Sequence, residues 1–243
     1  MRQVLMFLAV VVGASLVGGS ASTPQPSVLA DRRVGPLFIG TSDEHDCTAT
    51  VIHSRTGDLL LTAAHCVTGA ADDIRFAPGY HDRIKPYGIW RVTAVYLASS
   101  WVRGLNVDDD FAVMRVAPDP GSPQHPLETV TGRGFTVGST TPGSRVRVVG
   151  YGGVADDPVG CRGRTRTVRG VPTISCRGLV DGTSGSPWIA GRSAIGIVGG
   201  YHQGGCITDV SHSPVFGSDL HEVIARAEAH GPSDVAPEPQ SDC

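Results

Sequence analysis

From Val34 onward the chain is broken every few residues by Gly, Pro, Asn, Asp or Ser. What stands between the breaks is short, apolar and rich in β-branched side chains. This punctuation limits the fold more than any other feature. The runs at 37–39, 47–52, 58–62, 90–96, 111–116, 144–149 and 194–199 are too short for ordinary helices and have strand composition. They do not alternate with helical segments, so a sandwich or barrels is expected rather than a parallel sheet built from βαβ units. Glycine supplies 32 of the 243 residues, about 13%, roughly double the usual share, which suits many tight turns. No G-X-Y period accompanies it, so a collagen-like rod is excluded. Hydrophobic residues make up 40% and charged ones 18%, enough apolar material to bury a core.

The first residues bear on the compartment. Arg2 precedes an apolar run from Val4 to Val12, and Gly18, Gly19, Ser20, Ala21 and Ser22 follow. That order reads as a secretory signal peptide over residues 1–22, cleaved after Ala21 or Ser22. The mature protein is then expected to be exported and extracellular, with no membrane association once the signal is removed. Export implies an oxidising compartment, in which six Cys read as up to three disulfides. The net charge is −3, so nucleic acid is not expected as a partner. The cations are 19 Arg and a single Lys, Lys85.

Residues 23–33 read as a polar linker or short propeptide, and the folded domain as 34–230. Four prolines between Pro118 and Pro126 exclude a strand or helix there, so 118–126 reads as an extended connector between two halves, 34–117 and 127–217. One helix is expected near 218–230. Leu220, Val223, Ile224 and Ala227 fall on one face, Asp219 with Glu222 forms a candidate cap, and Gly231-Pro232 ends it. Residues 231–243 read as a flexible tail.

Three segments carry the chemistry. In Leu60-Leu61-Thr62-Ala63-Ala64-His65-Cys66, small residues let a strand turn sharply and bring an imidazole out at its end. In Asp108-Asp109-Asp110-Phe111-Ala112-Val113-Met114-Arg115-Val116, an acidic turn feeds an alternating strand. The apolar residues after Asp110 draw that carboxylate toward the core, while Asp108 and Asp109 are expected to stay in water. In Asp181-Gly182-Thr183-Ser184-Gly185-Ser186-Pro187-Trp188-Ile189, a serine stands in a glycine-rich turn before an apolar strand, the form a nucleophile loop needs.

T-A-A-H-C, D-F-A-V-M-R-V and G-T-S-G-S-P, in that order, resemble the motifs of the trypsin-like serine peptidases of the chymotrypsin fold, in particular secreted bacterial, actinobacterial-type members. The resemblance covers about Val34 to Ala229. It implies an all-β fold of two six-stranded antiparallel barrels with a C-terminal helix. It also implies a serine endopeptidase that hydrolyses peptide bonds through an acyl-enzyme, with Ser184 as nucleophile, His65 as base and Asp110 as its orienter. The N–H groups of Gly182 and Ser184 would form the oxyanion hole. Cys47, at the head of the 47–52 run, resembles the family's paired cysteine and would bond Cys66. Cys161–Cys176 is the favoured second pair, with Cys176–Cys206 as the alternative. In the first case Cys206 is free or bonded to Cys243.

The departures from the family pattern are informative. Thr183 stands where many members carry an Asp that binds a new N-terminus on activation, so that salt bridge is unavailable even if Arg33 were a cleavage site. The resemblance puts Gly178 at the base of the specificity pocket, where a trypsin carries Asp, and puts Gly199, Gly200 and the candidate His202 on its wall. Cleavage after Arg or Lys is therefore not expected, and a bias toward apolar or small side chains is; Arg177 leaves room for acidic ones. The expected partner is a protein or peptide substrate, the expected state a monomer, and no cofactor is implied. No H-E-x-x-H occurs among the nine His, so no metal site is expected either. The alternative reading is a catalytically weak homologue acting as a binding module, against which stands the presence of all three triad residues. An α/β-hydrolase esterase would need Ser before Asp before His and a βα alternation, and neither is present.

Overall fold

A computed structural model describes residues 28–40, 42–67, 71–153, 155–205 and 209–238. The expected signal segment 1–22, residues 23–27 of the linker, Cys206 and Cys243 lie outside the described residues. Two β-structures form the fold. The first is a closed barrel of β1 (Val34–Ile39), β2 (His45–Ile52), β3 (Leu59–Thr62), β4 (Ile74–Phe76), β5 (Trp90–Leu97) and β6 (Ala112–Pro118), ordered β1-β2-β3-β6-β5-β4. Short helices α1 (Ser99–Gly104) and α2 (Leu127–Thr131) lie between strands. The second is a sheet of β7 (Thr136–Val137), β8 (Arg145–Gly150), β9 (Val159–Val168), β10 (Val171–Ser175), β11 (Pro187–Ala190), β12 (Ser193–Ile197) and β13 (Val210–His212). Its order is β13-β10-β9-β8-β11-β12-β7. This second unit has seven strands rather than six, and the two-residue β7 joins β12 in parallel.

The barrel closes because its runs are apolar on the inner face and short enough to coil. Leu37, Ala49, Val51, Leu61, Phe76, Trp90, Val92, Val113 and Met114 are all buried in one cluster. Helix α3 (Ser218–Glu228) follows the second sheet in sequence yet buries Leu220, Val223 and Ala227 in that same first-barrel cluster. At about 1.5–3 kcal/mol for each large apolar side chain buried, the helix is held by this face. Its N-cap is Gly217 and not Asp219, which sits in the first turn, where its charge opposes the positive end of the helix dipole.

The expected linker and the expected flexible tail are each tied to the folded body over part of their described length. Strand β4 is so short that it pairs only with Trp90 and Arg91 of β5. The backbone groups farther along β5 need other partners. The tail supplies them: Asp234 N–H donates to the Val95 carbonyl at 2.8 Å, Leu97 N–H donates to Asp234 Oδ2 at 2.8 Å, and Val95 N–H donates to Ser233 Oγ at 3.0 Å. Residues 231–234 are thus a strap on the barrel edge.

At the other end, the Arg33 guanidinium lies 3.7 Å over the Phe135 ring. Arg33 and Arg147 both donate to Asp31 Oδ2, at 2.9 and 2.5 Å, fastening residues 31–33 to β8. Burial by itself would raise the Asp31 carboxyl, but the bonds from Arg33 and Arg147 outweigh it and hold it at about 2, against an ordinary 3.8. Because the folded value is the lower one, this stabilisation is complete above pH 4 and disappears as pH falls through 2. It corresponds to about 2 kcal/mol. Asp31→Asn is therefore expected to lower the unfolding free energy at pH 7, read from urea titration, by that amount. The gap from wild type should close between pH 4 and pH 2; a gap that persists at pH 2 would refute the linkage.

Candidate active site

His65 is delivered by a turn that only small residues allow. After β3, Ala63 and Ala64 are buried and a single 3-10 turn over Ala64–Cys66 carries the imidazole outward. The Cys47–Cys66 disulfide, with Cα atoms 6.0 Å apart, ties that turn to β2. Asp110 follows a second 3-10 turn, Val107–Asp109, and precedes the buried Phe111 that leads into β6. Its side chain is 1% exposed and that of His65 8%. One carboxylate oxygen accepts from the His65 backbone N–H at 2.9 Å. The other lies 2.7 Å from His65 Nδ1 and accepts from the Gly200 N–H at 2.7 Å. A carboxylate only accepts, so Nδ1 carries the proton and Nε2 is left as the basic nitrogen. Of the two neighbouring acids, Asp108 is exposed as expected. Asp109 is not: it is buried, and its Oδ2 accepts from Ser100 Oγ at 2.5 Å and Asn106 Nδ2 at 2.9 Å. A short polar turn closes over it because those two donors are within reach.

The Ser184 loop packs directly on the strand end that delivers His65. A Cβ on Gly185 would stand 2.1 Å from the Thr48 carbonyl oxygen and 3.1 Å from Ala63 N, so only glycine fits. Gly182 has φ +92°, and a Cβ there would meet Gly153 N at 2.3 Å. Within the loop, Thr183 N–H donates to Val180, Gly185 N–H to Val198 and Ser186 N–H to Thr183. Over residues 182–186, the two N–H groups without an acceptor among the described residues are those of Gly182 and Ser184. Thr183 is buried and neutral, its hydroxyl donating to the Val180 carbonyl at 2.6 Å, so this position needs no incoming charge.

Thr48 is a site residue that the sequence reading missed. It is fully buried on β2 and makes four bonds, three of them to the second half of the molecule and one to β3. Its N–H donates to the Ser184 carbonyl at 2.7 Å, and its hydroxyl donates to the Gly182 carbonyl at 3.2 Å and accepts from Tyr151 N–H at 2.9 Å. Its carbonyl accepts from Thr62 Oγ1 at 2.8 Å. The signal was present: Thr48 and Thr50 alternate with apolar residues in the run from Cys47 to Ile52, and a hydroxyl in so apolar a strand demands buried partners.

The pocket residues are partly rearranged. Gly199 lies against Asp110, and its N–H donates to the His212 carbonyl at 3.2 Å. Gly200 does more than line a wall, since its N–H is committed to Asp110. Gly178 occupies a left-handed turn position, φ +87°, just after Cys176. His202 has φ 51° and lies ring to ring with Tyr201 at 4.0 Å. His212, which the sequence reading did not single out, meets Tyr201 at 5.4 Å, and its Nδ1 lies 3.1 Å from Thr173 Oγ1. Burial first, then repulsion from His202 and Arg166, holds the His212 imidazole below its ordinary value. Cys161 and Cys176 are bonded, bracketing the β9–β10 hairpin. Among the described residues, one trio of possible metal ligands converges, Cys47, His65 and Cys66, but both cysteines belong to one disulfide and offer no thiolate.

Comparison with known proteins agrees with this geometry. The protease Anisep from Arthrobacter nicotinovorans superposes with a TM-score of 0.70 at 22% identity, covering 84% of this chain and 98% of that one. A thermostable serine protease, AL20, from an extremophilic microorganism gives 0.68 at 21%, covering 82% and 98%. A Glu endopeptidase gives 0.67 at 19%, covering 86% and 98%. A search of curated proteins by sequence finds no match. The family described as trypsin-like peptidase domain matches residues 47–197, which run from β2 to the end of β12 and include the His65 and Asp110 turns and the Ser184 loop. The chain belongs to the trypsin-like peptidase family, and its fold is that of the chymotrypsin-like serine proteases.

Proposed function

We propose that the protein is an exported serine endopeptidase in which Ser184, His65 and Asp110 form the catalytic triad. The observation that carries this reading is the buried Asp110–His65 pair at 2.7 Å, with its turn packed against a serine loop whose Gly182 and Ser184 N–H groups are uncommitted. Ser184 Oγ attacks the scissile carbonyl and His65 Nε2 takes the proton. The two free N–H groups stabilise the oxyanion, and His65 then protonates the leaving amine. Water repeats the cycle on the acyl-enzyme. The N-terminal leader and the two disulfides support export, and the substrate is a protein or peptide.

Ser184→Ala and His65→Ala are each expected to lower kcat by more than about 10³-fold. Asp110→Asn should cost about 10⁴-fold, because the amide N–H stabilises the wrong imidazole tautomer. Asp108→Asn should leave kcat within about twofold, in line with its exposure. Asp109→Asn should lower Tm while kcat of the folded enzyme holds. Steady-state kinetics beside a thermal melt separates these cases, and equal kcat losses at all three aspartates would reject Asp110 as the orienting acid.

The pocket reading gives a second test. With Gly178 at the expected base and no acid assigned there, an entering Arg or Lys would be an uncompensated buried cation. Burial disfavours the charged form of His212, whose carbonyl accepts from the N–H of the expected wall residue Gly199. Small and apolar side chains are therefore favoured beside it, and protonation of His212 at lower pH makes an acidic side chain its natural partner. Matched peptides differing only before the scissile bond should give Leu above Arg at pH 7.5. The Glu-to-Leu ratio of kcat/KM should rise as pH falls. An Arg preference above about tenfold, roughly 1.4 kcal/mol, would place an acid in the pocket and reject this assignment.

A further inference from the structure

Strands β8 and β9 pair so that Arg145 faces Arg164 and Arg147 faces Arg162 directly. Residues opposed in this way share one face of the sheet, and like charges opposed across a ladder are destabilising. Arg166 continues the same face two residues beyond Arg164. Arg145, Arg162, Arg164 and Arg166 are exposed, and the first three border a shallow depression of about 470 Å³ together with Val146, Arg147 and Gly163. Compensation is slight. Asp31 takes Arg147 at 2.5 Å but is shared with Arg33. Arg164 reaches only the Gly143 carbonyl, and Arg166 only Ser175 Oγ. Among the described residues, no carboxylate pairs with Arg145, Arg162, Arg164 or Arg166. The cluster does not follow from general basicity, since the chain carries a net charge of −3.

We propose that the outer face of β8 and β9 is a binding surface for an extended acidic polypeptide segment. The spacing favours that occupant. Guanidinium groups on one face of a strand recur at about 6.6–6.8 Å, twice the rise per residue. An extended chain with Asp or Glu at every second position presents carboxylates at the same repeat, one row over each strand. All the cations are arginines, whose planar forks take carboxylates two bonds at a time. Resting on the peptidase reading, the segment is part of a protein substrate remote from the scissile bond, and it raises the local concentration of that substrate at the enzyme. The surface shares no residue with the triad, the Ser184 loop or the pocket wall.

The test uses the full chain with Ser184→Ala, so that no probe is cleaved. A fluorescein-labelled (Glu-Thr)4 peptide is titrated by anisotropy in 50 and 200 mM NaCl, beside a (Gln-Thr)4 control and a sulfated polysaccharide. Binding of the acidic peptide is expected, weakening with salt, with the neutral control inert. Arg145→Glu with Arg164→Glu should weaken it at least tenfold, while Arg103→Glu, an exposed arginine elsewhere, should not. Arg145→Gln with Arg164→Gln serves if charge reversal lowers Tm. In the active enzyme, the same double variant should raise KM for a substrate carrying an acidic tail and leave the untailed substrate unchanged. No binding at 50 mM NaCl, equal binding by the double variant, or tighter binding of the polysaccharide than of the peptide would overturn the proposal. Peptide binding without hydrolysis of either substrate would instead overturn the peptidase reading and leave this surface standing.

Discussion

The Asp110 carboxylate is the group around which the molecule is organised. It is removed from water, and a carboxylate so placed is tolerable only if donors surround it. Its three donors come from two segments far apart in the sequence. Two belong to His65, one from the backbone and one from the ring, and the third is the Gly200 N–H of the second sheet. The bond to the His65 backbone fixes where the turn lies, and the bond to the ring fixes which nitrogen is basic. Leaving the charge unpaired would cost about 3–5 kcal/mol, a large part of the stability of a domain. The alignment of base and orienter is therefore enforced by folding itself.

Thr48 performs the complementary task for the proposed nucleophile. Three of its four bonds join β2 to the Ser184 loop and to Tyr151, and the fourth ties it to Thr62 of β3. The residue before it, Cys47, is bonded to the residue after His65. A single strand of the barrel thus holds the base through a disulfide and the nucleophile loop through hydrogen bonds. Relative placement of the two depends on adjacent residues of one strand, which is stiffer than any loop-to-loop contact.

Much of this was legible in the sequence, for identifiable reasons. The runs around His65, Asp110 and Ser184 combine a reactive side chain with flanking small or apolar residues that leave few structural options. Helix α3 was legible from Leu220, Val223 and Ala227. Strand β9 was not, because its outer face carries Arg162, Arg164 and Arg166 and its inner face runs through Cys161, Gly163 and Thr165, so it carries no hydrophobic alternation. Its turn, with φ 52° at Arg169 and 85° at Gly170, has the left-handed pair that hairpins require, and that pair identifies it only once the strands are known. Asp109, Thr48 and the 231–234 strap escaped for one common reason. Each is a polar residue or segment whose placement depends on a distant partner, and partners across tertiary contacts leave no periodic trace.

Just after Gly200, His202 and Gln203 both adopt left-handed backbone conformations, φ 51° and 47°, which non-glycine residues visit at a cost of about 1–2 kcal/mol each. Such a conformation persists only where its surroundings over-determine it. On one side the Gly200 N–H is tied to Asp110, and on the other the Tyr201 and His202 rings are in contact, with His212 against Tyr201. The peptide group that completes the carboxylate's donor set is therefore also the one from which the strained turn begins. A shift of that turn would withdraw the third donor from Asp110, so the turn is as rigidly placed as the buried charge it serves.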